Sequence, residues 1–205
     1  MKLKRNIQLI DQHNNRGFYL DKFGGNFVAE TAIKPIEDLS NLFEKLRKNK
    51  KFLKKRDKYF KYYLGGETPF FKLENLTKYL GGAEIWCKDV SAINGDAHKA
   101  YHATVNALIC KESGKKFLAG DTGAGMFGKN LAMAAKEMKL KAKIFMGTKD
   151  ISRQALNVSF MKKAGAEVVP VDTGSRTLVD AVSECMRFYV SNCQTTHLAV
   201  GSAIG

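Results

Sequence analysis

Residues 116–129 read KFLAGDTGAGMFGK, an apolar run followed by a glycine-rich turn and the start of a helical pattern. The run at 116–119 predicts a strand, and the spacing of apolar residues over 127–138 predicts a helix. Glycine-rich backbone at a helix N-terminus presents free amide N–H groups, which bind phosphates and carboxylates alike. The stretch therefore predicts an anion-binding turn at the carboxyl end of a strand in an α/β fold.

Strands and helices alternate around this turn. Apolar runs predict further strands at 84–88, 142–146, 167–171 and 197–200, and helical spacing predicts helices at 98–113, 152–164 and 177–191. Ser152, and Thr177 with Asp180, are predicted N-terminal caps, whereas Gly114 and Gly165 are predicted C-terminal caps. The alternation predicts an open, mainly parallel sheet with helices on both faces.

The first part of the chain has a different character. Residues 1–34 look irregular, Pro35 is expected to open a first helix, and a basic helix is expected over 49–63. We therefore expect two parts: an irregular and basic helical segment at 1–83 and an α/β domain at 84–205.

The net charge of +14 is concentrated near the N-terminus, where residues 1–61 hold 16 basic and seven acidic residues. Ten of these basic residues fall within 45–61. The stretch could bind nucleic acid, with Tyr59 and Tyr62 stacking on bases. No nucleic-acid motif accompanies the charge, so a solvated helix face is the favoured interpretation and nucleic acid is not an expected partner.

The apolar runs, the N-terminal residues and the cysteines bear on the protein's location and redox state. No apolar run is long enough for a membrane span, and the first residues do not resemble a secretion signal. The four cysteines are widely spaced, and no pair has metal-ligand spacing. These features predict a cytoplasmic protein with reduced thiols, no membrane contact and no metal site.

The glycine-rich turn has three interpretations. Gly123, Gly125 and Gly128 match a dinucleotide-binding fingerprint, and Asp150 lies near the expected position of its acidic residue. A strand and a helix precede this unit, however, and the polar pair Asp121-Thr122 could act on a ligand. A carboxylate cradle is therefore equally available, and a purely structural turn is the remaining alternative.

Several longer stretches resemble one enzyme family. They are FGGNFVAET at 23–31, Thr68-Pro69, Ala97-His98-Lys99, RQALNV at 153–158, Gly165-Ala166, VVPVD at 168–172 and GSRTLVDA at 174–181. In these stretches the sequence is similar to the tryptophan synthase beta chain. The similarity at 153–181 is specific and disfavours the dinucleotide-binding interpretation.

The resemblance implies a fold-type-II pyridoxal-phosphate enzyme, a lyase of tryptophan biosynthesis that condenses L-serine with indole to give L-tryptophan. It implies that Lys99 is the Schiff-base lysine, that His98 helps to hold the cofactor phosphate, and that Asp121 occupies the place of a catalytic glutamate. The implied substrate-carboxylate loop comprises Thr122, Gly123, Ala124, Gly125 and Phe127. The implied partners are a tryptophan synthase alpha chain and a second beta chain in a homodimer, and residues 114–200 would form the segment that communicates with the alpha chain.

The sequence also departs from the family pattern near the expected site. Asp121 is one methylene shorter than the family's glutamate, Met126 and Phe127 replace a Gln-His pair, and residues 89–96 differ from the family's polar run. The chain is expected to be truncated before the family's C-terminal domain and inactive by itself. The alternative is a non-catalytic remnant that serves as an interaction module for an alpha subunit or another partner chain.

Overall fold

A computed structural model describes residues 17–25 and 27–201 of the protein. The helices are α1 (Glu30–Leu46), α2 (Lys50–Tyr62), α3 (Glu74–Leu80), α4 (Lys99–Glu112), α5 (Met126–Glu137), α6 (Thr148–Arg153), α7 (Ala155–Lys163) and α8 (Leu178–Asn192). The strands are β1 (Phe18–Tyr19), β2 (Phe23–Gly24), β3 (Phe70–Lys72), β4 (Trp86–Lys88), β5 (Phe117–Asp121), β6 (Lys141–Gly147), β7 (Glu167–Val171) and β8 (Thr196–Ala199).

The central sheet has four parallel strands in the order β7-β6-β5-β8. Four of the five predicted strands are therefore confirmed, as is the parallel sheet. The fifth prediction, a strand of this sheet at 84–88, is wrong. Its three-residue counterpart β4 pairs antiparallel with β3 in a separate two-stranded sheet. Two of the three β4 residues are exposed, so the strand lacks the two buried faces that a parallel sheet requires.

Helices cover both faces of the sheet, as predicted. Because side chains alternate along a strand, successive residues of β5 enter different clusters. Leu118 joins the larger core, which contains buried side chains of α4, α5 and α7, whereas Ala119 joins a smaller core with Cys185 and Tyr189 of α8. Strands β5 and β8 are thus buried on both sides, and their carboxyl ends lie side by side in the sheet.

The first helix begins earlier than predicted. Pro35 lies inside α1, which starts at Glu30. Ala32, which is 1% exposed, anchors the added turn, and Pro35, the sixth residue of α1, lacks the N–H group that would otherwise donate to the Thr31 carbonyl. The basic helix at 49–63 is confirmed as α2, with Phe52 buried and most of its lysines exposed.

Two of the predicted caps are also corrected. The helix predicted at 152–164 is divided at Gln154, and Ser152 lies inside α6, where its hydroxyl donates to the Thr148 carbonyl. Thr177 occupies the N-cap position of α8 but makes no side-chain capping bond, because its hydroxyl pairs with Ser175. The Ser175 hydroxyl in turn donates to Asp180 at 2.5 Å.

The predicted C-terminal caps at Gly114 and Gly165 are confirmed. Each glycine directly follows the C-cap residue of its helix and has a positive φ. Among the described residues, no helix combines the length and the apolar character needed to cross a membrane.

Candidate active site

The glycine-rich turn leaves the carboxyl end of β5 and leads directly into α5. The Thr122 amide donates to the Phe145 carbonyl of the neighbouring strand, and the Thr122 hydroxyl accepts from the Gly128 amide at 3.3 Å. The Thr122 side chain therefore satisfies one of the free N–H groups in the first turn of α5. The turn is fixed to the sheet at one end and to the helix at the other.

Gly125 gives the turn its shape. It is the N-cap of α5 with φ +85°, and a Cβ atom at this position would lie 2.6 Å from Cβ of Asn157. The Asn157 amide donates to the Ala124 carbonyl at 2.9 Å, which holds the turn against α7. A side chain at Gly125 would be both strained and obstructed.

Lys99 is the first residue of α4, and its side chain lines the same pocket as the turn. Its Nζ atom donates to the Gly201 carbonyl, 2.8 Å away, just beyond the end of β8. Nζ also lies 5.8 Å from the centre of the Phe127 ring, within the range of a cation–π contact. The lysine is half-buried, so its stem crosses apolar surface while its amine is held among polar and aromatic groups.

Asp121, the last residue of β5, is 4% exposed. Its Oδ1 atom accepts a long hydrogen bond, 3.4 Å, from the Gly201 amide. Burial raises the pKa of the Asp121 carboxyl above its ordinary value, while the Gly201 hydrogen bond and the charge of Lys99 act in the opposite direction. The carboxyl is thereby shifted towards the protonated form, which is what a proton donor requires.

These groups line one pocket of about 270 Å³. Its polar side consists of Lys99, Asp121 and the turn at 122–124. Its apolar side is formed by Met126, Phe127, Leu178, Val182 and Val200. An amine, a carboxyl group and a glycine-rich backbone thus face a partly apolar cavity, which suits a small, planar ligand with anionic substituents.

Most of the predicted site residues meet at this pocket. Six of them line it: Lys99, Asp121, Thr122, Gly123, Ala124 and Phe127. Gly125 does not line the pocket and acts on the shape of the turn. His98 is exposed at the start of α4 and lies outside the lining. Phe127 is 3% exposed and stacks on His102, with 5.1 Å between ring centres.

Sequence reasoning missed Gly201, whose amide and carbonyl reach Asp121 and Lys99. Backbone contacts leave no side-chain pattern that could reveal them. It also missed the apolar wall at Leu178, Val182 and Val200. The one available signal was the predicted strand at 197–200, because ligands in such sheets bind beyond the carboxyl ends of strands.

Comparison with known proteins identifies the family. A family model described as pyridoxal-phosphate dependent enzyme matches residues 62–198. The chain belongs to this family. Pyridoxal phosphate is therefore the cofactor of its relatives, and the predicted fold-type-II architecture is confirmed.

Curated relatives are more specific. The tryptophan synthase beta chains of Acinetobacter calcoaceticus and Acinetobacter baylyi are each 40% identical to this chain over 182 residues, which is 89% of the chain and 45% of each relative. This chain thus spans about half the length of the curated relatives that it matches. The predicted resemblance to the tryptophan synthase beta chain is confirmed.

Solved structures of the family share the fold. The apo crystal structure of Escherichia coli diaminopropionate ammonia lyase superposes with a TM-score of 0.54 at 22% identity, covering 74% of this chain and 45% of the enzyme. A pyridoxal 5'-phosphate-dependent aspartate racemase superposes with a TM-score of 0.56 at 19% identity, covering 73% of this chain and 44% of that one. At these identities, the likeness concerns the fold alone.

The pocket residues fit one end of pyridoxal phosphate. The Lys99 amine reaches the pocket, as attachment to an aldehyde requires, and Phe127 with the apolar wall suits a flat ring. Among the described residues that line the pocket, Lys99 is the one basic side chain. The fit therefore concerns the aldehyde and the ring more than the phosphate.

Proposed function

We propose that this chain forms the lysine-bearing part of the active site of a tryptophan synthase beta-type lyase, which condenses L-serine with indole to give L-tryptophan. The observation that carries the proposal is the meeting of the Lys99 amine, the Asp121 carboxyl and the glycine-rich turn at one pocket. The 40% identity to two tryptophan synthase beta chains supports the choice of reaction within the family.

Each predicted residue then has a task. Lys99 carries the cofactor through its amine, and His98 holds the cofactor phosphate at the N-terminus of α4. When bound, pyridoxal phosphate supplies an electron sink that stabilises negative charge on the substrate's α-carbon. The turn at 122–127 binds the substrate carboxylate at the N-terminus of α5 through the amides that follow Thr122, because the Thr122 amide itself donates to the Phe145 carbonyl.

Asp121 is the proton donor in this proposal. Its raised pKa lets the carboxyl keep a proton closer to neutral pH than an exposed aspartate would, so that it can donate to the departing hydroxyl of serine. The wall at Leu178, Val182 and Val200 excludes water from the same space. The shorter aspartate reaches less far than a glutamate, and a misplacement of about 1 Å can cost roughly a hundredfold in rate.

The partners follow from the same proposal. Residues 114–200 would respond to a tryptophan synthase alpha chain, and a second copy would complete a homodimer. The exposed apolar side chains of Leu156 on α7 and Val179 on α8, which are 74% and 72% exposed, offer surface within that segment for a partner.

One observation favours a second candidate, a non-catalytic interaction module. The Lys99 amine donates to the chain's own Gly201 carbonyl, a contact that could serve packing alone. In that case Lys99 would have a structural role, and the exposed apolar surface of α7 and α8 would carry the function by binding a partner chain.

Trapping of the cofactor on lysine distinguishes the two candidates. Incubation with millimolar pyridoxal phosphate, borohydride reduction and peptide mass spectrometry would report the modified lysines. The enzyme proposal predicts preferential modification of Lys99 over an exposed lysine such as Lys78, and no site preference in Lys99→Arg. Modification spread evenly over exposed lysines, with Lys99 unreacted, would overturn the enzyme proposal and favour the interaction module.

A further inference from the structure

The loop before Lys99, residues 89–97, is fastened to α5 by contacts that the family resemblance does not assign. The start of α4 has no side-chain cap, because His98 at the N-cap makes no capping hydrogen bond. The position of Lys99 therefore depends on how this loop, here called the lysine loop, is held.

Asn130 makes the first contact. Its side chain is 3% exposed, and its Nδ2 atom donates to the Gly95 carbonyl at 3.1 Å and to the Met126 carbonyl at 2.9 Å. Gly95 has φ +114°, and a Cβ atom there would lie 1.9 Å from Oδ1 of Asn130 and 2.9 Å from Cβ of Ala100. The lysine loop thus contacts α5 so closely that no side chain fits at Gly95.

Lys129 makes the second contact, one residue along α5. Its Nζ atom lies 2.5 Å from Oδ2 of Asp96 and 5.3 Å from the centre of the Phe160 ring. Lys129 is 8% exposed, which is rare for a lysine unless its ammonium group is paired. Asp96 presents its carboxylate from a left-handed backbone conformation, with φ +60°. The loop is therefore held by a partly buried ion pair as well as by an amide.

Both contacts come from the helix that also carries the pocket. The first turn of α5 supplies Met126 and Phe127 to the pocket wall, and its next residues, Lys129 and Asn130, hold the lysine loop. One helix, α5, thus carries the start of the pocket wall and also holds the loop that leads to Lys99. Gly95 and Asn130 are 35 residues apart in the sequence, and the packing of the loop on α5 brings them into contact.

We propose that Asn130 and Lys129 are positioning residues that set the place and reactivity of the Lys99 amine by holding Gly95 and Asp96. The inference rests on the proposed function, in which Lys99 carries the cofactor. Loss of either contact frees the lysine loop and moves Lys99 relative to the turn, and a displacement of about 1 Å can cost roughly a hundredfold in reactivity.

The test measures the rate at which Lys99 is modified by pyridoxal phosphate and borohydride, relative to exposed Lys78 in the same sample. We expect Asn130→Ala to lower this ratio by about tenfold, within the range that small misplacements produce. Asn192→Ala is the matched control, because the Asn192 amide donates to the Phe188 carbonyl within α8 and has no contact with the lysine loop. Thermal unfolding of both variants excludes a general loss of structure.

The ion pair allows a sharper test. Lys129→Met removes a positive charge and Asp96→Asn removes a negative one, so a purely electrostatic influence on Lys99 would change the ratio in opposite directions. If the contact itself matters, its loss lowers the Lys99-to-Lys78 modification ratio in both variants. Lys129→Arg keeps the ion pair, so its ratio should stay close to that of the wild type. If wild-type Lys99 shows no preference, the proposed function fails. If wild-type Lys99 is preferred and the variants at 96, 129 and 130 match it, the positioning inference alone is wrong.

Discussion

Lys99 and Asp121 are joined through the backbone of one residue, because the carbonyl of Gly201 accepts from the lysine and its amide donates to the aspartate. The amine and the carboxyl thus share one residue of the segment that follows β8. Displacement of this segment would release both groups together. The charge of Lys99 is also close enough to oppose the rise in the pKa of Asp121.

Asp121 predicts an unusual dependence of stability on pH. Because burial raises its pKa in the folded state, the fold favours the protonated carboxyl, and stability is lost as pH rises from the ordinary aspartate value through the raised one. Asp121→Asn removes the buried charge and should be more resistant to urea than the wild type at pH 7. The difference should close as the pH falls below about 3.9, the ordinary pKa of aspartate.

Asp180 provides a control of opposite sign. Its pKa is lowered, chiefly by the hydrogen bond from Ser175, so its carboxylate contributes stability that is lost as pH falls through the lowered value. Asp180→Asn should be less stable than the wild type at pH 7, by an amount that also closes in acid. Urea unfolding of both variants across a pH series checks the two signs, and equal signs would contradict the role assigned to the buried carboxyl.

A side chain at Gly125 should destabilise the fold through a local steric clash. Gly125→Ala should lower the free energy of unfolding by roughly 2–5 kcal/mol, because a left-handed residue costs about 1–2 kcal/mol and overpacking adds about 1–3. The added methyl group would press on Asn157 and break its bond to Ala124. Denaturant unfolding measures the loss.

Gly165→Ala is the matched control for this steric effect. Gly165 has a similar φ of +92°, but no heavy atom outside its own chain neighbourhood lies within 4 Å of the position of its Cβ. We expect this variant to lose only the backbone contribution, about 1–2 kcal/mol. Equal losses in the two variants would show that Asn157 yields to the methyl group and that the turn tolerates a side chain.

The parallel sheet could be predicted because short apolar runs that alternate with helical patterns, and the glycines that end the helices, are local features of the sequence. The prediction failed for the strand at 84–88, because three residues do not reveal which partner strand they pair with. The candidate site likewise has a part that the sequence could predict and a part that it could not. Lys99 and Asp121 came from recognisable motifs, whereas the Gly201 bridge and the Asn130–Gly95 contact depend on backbone groups brought together from distant positions. No local pattern encodes such contacts.

The pocket also predicts weak cofactor binding. Among the described residues that line it, Lys99 is the one basic side chain, and its amine is committed to attachment. We therefore expect titration of the 205-residue chain with micromolar pyridoxal phosphate to give no saturable absorption band of bound cofactor. A stable band that saturates, and that disappears in Lys99→Ala, would contradict weak binding and identify Lys99 as the attachment site.

The segment from β3 to β4 predicts self-association. The strands β3 and β4 pair only with each other among the described residues, so the outer edge of each is open. Six large apolar side chains of this segment are exposed: Phe70, Phe71, Leu76, Tyr79, Leu80 and Trp86. Exposed apolar patches promote association, while the net charge of +14 opposes it by repulsion. Salt screens this repulsion beyond about 8 Å at physiological ionic strength, so association should increase with salt.

Sedimentation velocity across a salt series, with matched variants, identifies the surface responsible. Tyr79 is 85% exposed on α3 and Val179 is 72% exposed on α8, so Tyr79→Lys and Val179→Lys add the same charge to two different surfaces. If the β3–β4 segment drives association, Tyr79→Lys shifts its onset to higher salt by more than Val179→Lys does. Equal shifts would indicate that net charge alone is responsible. A compact monomer at every salt concentration would mean that the apolar side chains of this segment are too dispersed to bind another copy.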